Sequence, residues 1–185
     1  SMREDVGRVT QKHPGSAENG SVYNHAAAFY IYALFCADKG NKAYELLSRM
    51  IPGPEEKDLL RRGQLPVFIP NYYRGAFRQF ERTAGRSSQL FNTGTVSWIY
   101  RSLIDGLFGL KGERGGLRVN PFLPDAWDEA RVIRKFRGAE LHIDIQKQEI
   151  QGRLQVFLND VLLPDNLISG LVSGKVYKVE VKVPA

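Results

Sequence analysis

The chain has a single cysteine, Cys36, so no disulfide can form within it, and its cysteine usage gives no sign of an oxidising compartment. Its three histidines, His13, His25 and His142, are scattered in no metal-ligand spacing, and no metal site is expected. Long hydrophobic runs are also missing. The longest, Ala26 to Ala37, has 12 residues, against roughly 18 to 20 for a bilayer crossing, so it reads as a buried helix and no membrane partner is expected. No basic leader followed by an apolar stretch opens the sequence, which makes the cytoplasm the expected location. Runs of like charge are absent too: the net charge of +6 is dispersed among acids, which argues against a nucleic-acid partner. The one basic concentration is local. Arg61, Arg62, Arg74, Arg78, Arg82 and Arg86 crowd a segment with few acids, a pattern suited to a small anion.

What is present is an apolar fraction of 43%, enough for a folded core, and a change of period along the chain. Residues 22 to 39 read as a helix that is apolar on nearly every side, stopped by Gly40, and Lys42 to Met50 as an amphipathic one. Residues 55 to 92 read as a long irregular connection, extended into Pro70. Thr95 to Leu107 then gives one helix with an apolar stripe of Val96, Ile99, Tyr100, Leu103 and Leu107. After Gly112 the pattern alternates in short runs, 117–119, 131–136, 141–145, 154–158 and 176–183, parted by Gly, Asn-Asp and Pro. The expected fold is α+β, with helices over residues 1–112 and an antiparallel β region over 113–185. Trp127, Phe136 and Tyr177 are expected in the core of that region. Asp105, Asp144 and Asp160 are expected on an exposed helix face, an exposed strand face and a turn.

Two polar, Gly-punctuated segments open directly onto apolar helices. They are Glu18-Asn19-Gly20 followed by His25, and Thr93-Gly94-Thr95 followed by Trp98. Helix starts present unpaired N–H groups, and glycine lets a ligand approach the backbone, so both are natural anion mouths. Taken by itself, His25 reads first as a core or capping histidine, Glu18 as a solvated loop carboxylate, and Thr93-Gly94-Thr95 as a simple helix cap.

Together these blocks resemble glycoside hydrolase family 94, the inverting β-glucoside phosphorylases typified by cellobiose phosphorylase. Glu18, His25, Thr93, Gly94, Thr95 and Trp98 match its motifs, and further blocks at residues 7–10, 116–121 and 134–139 follow in the family's order. The resemblance implies the last helices of an (α/α)6 barrel followed by a C-terminal β-sandwich cap. It implies cleavage of a disaccharide by inorganic phosphate, as co-substrate, to glucose 1-phosphate, with no cofactor. His25, Thr93 and Gly94 would bind phosphate and Glu18 the sugar. Family members are several times longer, and their general-acid Asp lies upstream of the Glu-Asn-Gly block. The chain is therefore expected to be a C-terminal portion with no general acid of its own, inactive without the N-terminal remainder of the enzyme. A homodimer is the family's frequent assembly.

Two departures bear on the acceptor. Where the family often has Lys before the Glu, this chain has Ala17, and where cellobiose phosphorylases carry Gln it offers Arg74 and Arg78. In a helix those two arginines would share one face and grip a carboxylate with planar forks; as a pair they also fit a solvated basic face. The exchange resembles the relatives that phosphorolyse cellobionic acid. Alternatives are the family's cellobiose, chitobiose and β-1,2-glucan specificities, and a non-catalytic glycan-binding domain that kept only the fold.

Overall fold

A computed structural model describes residues 4–51, 69–88 and 94–184 and is of the α+β class. The chain divides into two compact units, Ser1–Ala33 with Glu45–Tyr100, and Leu34–Tyr44 with Arg101–Ala185. Residues 52–68 and 89–93, with Arg61, Arg62 and Thr93 among them, lie outside the described residues.

In the first unit the loop over residues 13–21 leads into β1 (Val22–Tyr23) and directly on into α1 (Asn24–Cys36). β1 pairs antiparallel with β2 (Tyr72–Tyr73), and β2 with β3 (Ser87–Ser88). Strands of two residues do not hold themselves together, and buried polar anchors do it here. The Asn24 side chain donates to the Pro70 carbonyl at 2.7 Å, and its backbone N–H to the Asn71 carbonyl at 3.0 Å. Asn71 Oδ1 in turn accepts from the Thr95 hydroxyl at 2.8 Å, at the start of α3 (Thr95–Arg101). Asn24, Asn71 and Thr95 are all buried, where an unmade hydrogen bond is costly. Three satisfied side chains thus fasten two helix starts to one strand. The Tyr73 hydroxyl adds a fourth anchor, donating at 2.9 Å to the Met50 carbonyl that closes α2 (Gly40–Met50).

The apolar first helix is not buried all round. Within α1 only Asn24, Ala28 and Ile31, at i, i+4 and i+7, are buried, while Phe29 is 44% and Tyr30 57% exposed. Its packed face is a single stripe, and its even hydrophobicity hid which one. In α3 the buried residues are Thr95 and Ile99, while Val96 and Tyr100 are exposed. The expected stripe is displaced because the Thr95 hydrogen bond to Asn71 turns the neighbouring face inward.

α3 also does not run on to Leu107 as an α-helix. Ser102–Leu107 is π-helical, and Phe108 N–H reaches back five residues to the Leu103 carbonyl at 2.8 Å. Gly106 lies inside this widened turn, and a side chain there would run into the Phe35 ring.

The second unit carries two sheets. One has the order β10-β5-β4, with β4 (Leu110–Glu113), β5 (Gly116–Val119) and β10 (Leu167–Ile168). The other has the order β6-β7-β11-β8-β9, with β6 (Glu129–Phe136), β7 (Ala139–Gln148), β8 (Gln155–Leu158), β9 (Val161–Leu162) and β11 (Val176–Pro184). Two-residue turns with positive φ close the β6–β7 hairpin, at Arg137 and Gly138, and the β8–β9 hairpin, at Asn159 and Asp160. Leu141, Ile143 and Ile145 alternate inward from β7, as do Val179 and Val181 from β11. They share one core with Leu110, Leu117, Val119 and Ile168. Trp127, Phe136 and Tyr177 pack against it.

The β region is not antiparallel throughout. β7 and β11 run parallel, with Ile143 opposite Val179 and Ile145 opposite Val181. Alternation reads the same in either direction, so the sequence was blind to this pair. Asp160 stands exposed in its turn and pairs with Lys178, and Asp144, partly exposed, pairs with Arg131, whereas the Asp105 side chain is mostly covered and pairs with Arg101 at 3.1 Å. Among the described residues no helix is long and apolar enough to cross a membrane.

Candidate functional site

Glycines make the site possible by letting backbones touch. The 13–21 loop folds on itself through Gly15 N–H to the Asn19 carbonyl at 2.7 Å, and docks on the segment after β2 through Gly75 N–H to the Gly15 carbonyl at 2.9 Å. A side chain at Gly75 would strike the Gly20 carbonyl, and one at Gly15 would strike Gly75 and Ala76. Only glycine permits both approaches. The loop delivers Glu18 exposed, and β1 then turns the chain so that His25 stands in the first turn of α1.

His25 and Gly94 come together. A methyl group added at Gly94 would overlap His25 Nε2, so the imidazole lies directly over the backbone that opens α3. The other ring nitrogen, Nδ1, is 3.1 Å from the Tyr23 hydroxyl, and Phe29 packs against the ring at 4.7 Å between centroids. Tyr23 stacks on Tyr72 at 4.8 Å and 18°. Trp98 closes the group on the α3 side, meeting Phe29 and Tyr32 edge-on at 4.7 and 5.4 Å. Thr93, expected beside Gly94, lies outside the described residues.

Glu18 acts on Tyr72 through its charge. Burial pushes the Tyr72 phenol up, and the negative charge of Glu18 adds to the shift. The Glu18 carboxylate itself accepts from the Lys12 ammonium, and this bond, with its own backbone N–H, holds it below the usual carboxylate range. Lys12 went unnoticed in the sequence. Ala17 is buried at a φ of 46°, with the Ser21 hydroxyl and N–H both on its carbonyl. Glu18 is thus paired with a cation six residues upstream. Asn24 and Asn71 were missed as well, and the only available signal was a polar side chain beside an apolar run.

Arg74 and Arg78 are not on a helix. β2 ends at Tyr73, Ala76 takes a φ of 56°, and turns fill 77–79 and 81–85. They still share one place, an open depression of about 540 Å³ lined also by His13, Phe80 and Arg82. The His13 ring lies 4.3 Å from that of Phe80. Cations on a partly apolar wall suit a carboxylate-bearing sugar or a phosphate.

Two family models match the chain. Residues 1–109 fit the glycosyl hydrolase 94 superfamily catalytic domain, and residues 110–156 the glycosyl hydrolase family 65 C-terminal domain. The chain belongs to the glycosyl hydrolase 94 superfamily. Within the superfamily it is 50% identical, over 99% of its length, to cellobionic acid phosphorylase of Neurospora crassa, of which it covers 23%. A 3-O-beta-D-glucopyranosyl-beta-D-glucuronide phosphorylase of Paenibacillus borealis is 36% identical over 75% of the chain and 18% of that relative. The N,N'-diacetylchitobiose phosphorylase of Vibrio furnissii is 28% identical over 77% of the chain and 18% of that relative. The chain thus spans about a quarter or less of the length of these relatives.

Proposed function

We propose that this chain supplies the phosphate site and part of the sugar site of an inverting glycoside phosphorylase that cleaves cellobionic acid with inorganic phosphate. One observation carries the reading: 50% identity to a cellobionic acid phosphorylase along 99% of the chain, in a chain whose His25 lies against Gly94. The acidic acceptor draws further support from the second relative, whose name also carries an acid sugar, a glucuronide.

In this reading the phosphate sits at the start of α3, held by His25 Nε2–H, the Gly94 N–H and the Thr93 hydroxyl. Phosphate is already a nucleophile, so the protein needs only to place it behind the anomeric carbon and offset part of its charge. An oxygen of phosphate forms the new bond to that carbon as the glycosidic bond breaks. The leaving oxygen takes a proton from a carboxylic acid in the remainder of the enzyme, the role the first carboxylate has in inverting hydrolysis. Glu18, whose carboxyl Lys12 holds below its ordinary value, accepts hydrogen bonds from sugar hydroxyls. Arg74 and Arg78 hold the carboxylate of the gluconate half. The products are glucose 1-phosphate and gluconate, with no cofactor. The helices of residues 1–112 then close an (α/α)6 barrel, and residues 113–185 form its β-sandwich cap.

The test is His25→Ala in the full-length enzyme, read as glucose 1-phosphate release. We expect kcat/KM to fall about 100-fold, the scale of one preorganised charge-stabilising donor. An unchanged rate overturns the phosphate assignment.

A further inference from the structure

A histidine that donates to an anion faces a choice its neighbours must make. The imidazole has two ring orientations of nearly equal shape and, when neutral, two tautomers, of which only one presents N–H at a given position. In this chain the two ring nitrogens meet different partners: Nδ1 has the Tyr23 hydroxyl at 3.1 Å, and Nε2 lies over Gly94. Flipping the ring would set a carbon against the hydroxyl and forfeit the hydrogen bond. A hydroxyl that donates to Nδ1 also leaves the proton on Nε2.

The tyrosine is itself well fixed. Tyr23 pairs with Tyr72 across the β1–β2 ladder and stacks on its ring at 4.8 Å, and it meets His25 edge-on, with the ring planes at 78°. From this geometry we propose that Tyr23 is a positioning residue whose hydroxyl holds the His25 imidazole with an Nε2–H aimed at the start of α3. The inference rests on the phosphate reading above, and assigns Tyr23 no contact with phosphate or sugar.

The experiment compares four full-length enzymes: the parent, Tyr23→Phe, His25→Ala and the double variant. Phe keeps the ring that stacks on Tyr72 and removes only the hydroxyl. We expect Tyr23→Phe to raise KM for inorganic phosphate about 3- to 10-fold, the scale of one neutral hydrogen bond, with KM for the disaccharide moving less than about twofold. Because Tyr23 acts through His25, the double variant should be no worse than His25→Ala alone. A general structural loss would instead move both Michaelis constants and multiply with His25→Ala. If His25→Ala raises KM for phosphate while Tyr23→Phe does not, or if the two effects multiply, the role of Tyr23 is overturned and the phosphate reading stands. If His25→Ala itself leaves KM for phosphate unchanged, the phosphate reading falls and takes this inference with it.

Discussion

The two units differ in what is added to their apolar cores. In the second, Leu141, Ile143, Ile145, Val179 and Val181 are at most 1% exposed and two sheets close over them. The first buries apolar residues too, Ile31, Leu47 and Ile99 among them, but it adds buried polar links between elements at Asn24, Asn71 and Thr95, backed by glycine contacts at Gly15, Gly75 and Gly94. Meanwhile Phe29, Tyr30, Val96 and Tyr100 stand exposed. Burial of alternating side chains makes a frame that tolerates exchange of one apolar residue for another. Directional hydrogen bonds and close backbone approaches fix atoms to a fraction of an ångström, which is what ligand positioning demands. Every candidate ligand contact described above falls in the first unit.

The largest expected effect tests whether that division is real. Leu141→Ala removes a fully buried side chain and should destabilise the second unit by about 2 to 5 kcal/mol, read as faster amide exchange along β7 and β11. Tyr30→Ala, at a residue 57% exposed in α1, should cost less than about 1 kcal/mol. Equal costs would break the comparison, because α1 would then have a covered face where Tyr30 stands exposed.

How far the sequence revealed each unit follows the same divide. The second unit's longer strands were legible because alternation and turn residues such as Asn159-Asp160 are local signals, whereas β4 (Leu110–Glu113) fell in the part read as helical and the two-residue β9 and β10 are too short to show a period. The parallel β7–β11 pair was not, since direction depends on the route of the chain between them. In the first unit α1 was legible as a helix, but an evenly apolar sequence cannot say that Ala28 and Ile31 face inward and Tyr30 outward. The resemblance put His25 and Gly94 on one phosphate, and the structure shows the two residues lying together. The residues that enforce it, Tyr23, Asn24 and Asn71, act through contacts up to 46 positions apart in sequence, and no periodicity encodes them.

A middle-sized effect sharpens the division within the first unit, between the His25 group and the arginine depression. Arg78→Met keeps length and apolar volume and removes charge. If the depression holds the gluconate carboxylate, the preference for cellobionate over cellobiose should fall about 10-fold, the scale of one charge-assisted hydrogen bond. KM for phosphate should stay within about twofold. Loss of phosphate affinity instead would place Arg78 in the anion site and merge two groups kept apart here.

The smallest effect sets one exposed ion pair from each unit side by side. Lys12 with Glu18 and Lys178 with Asp160 are both exposed pairs, a class that contributes little to stability. They differ in what stands nearby, since the charge of Glu18 acts on the Tyr72 phenol and Asp160 sits in a hairpin turn. The Lys12 bond depresses the Glu18 carboxyl below its ordinary value of 4.5. Whatever the ionised carboxylate contributes is therefore fully present above that value and disappears only as pH falls through the depressed one. Lys12→Gln should let the carboxyl titrate nearer its ordinary value, so the acid limb of disaccharide 1/KM moves upward toward pH 4.5, by less in high salt because the pair is solvent-screened. Lys178→Gln breaks the equivalent pair in the second unit and should leave that limb where it is. An acid limb indifferent to Lys12 would mean that a group other than Glu18 receives the sugar.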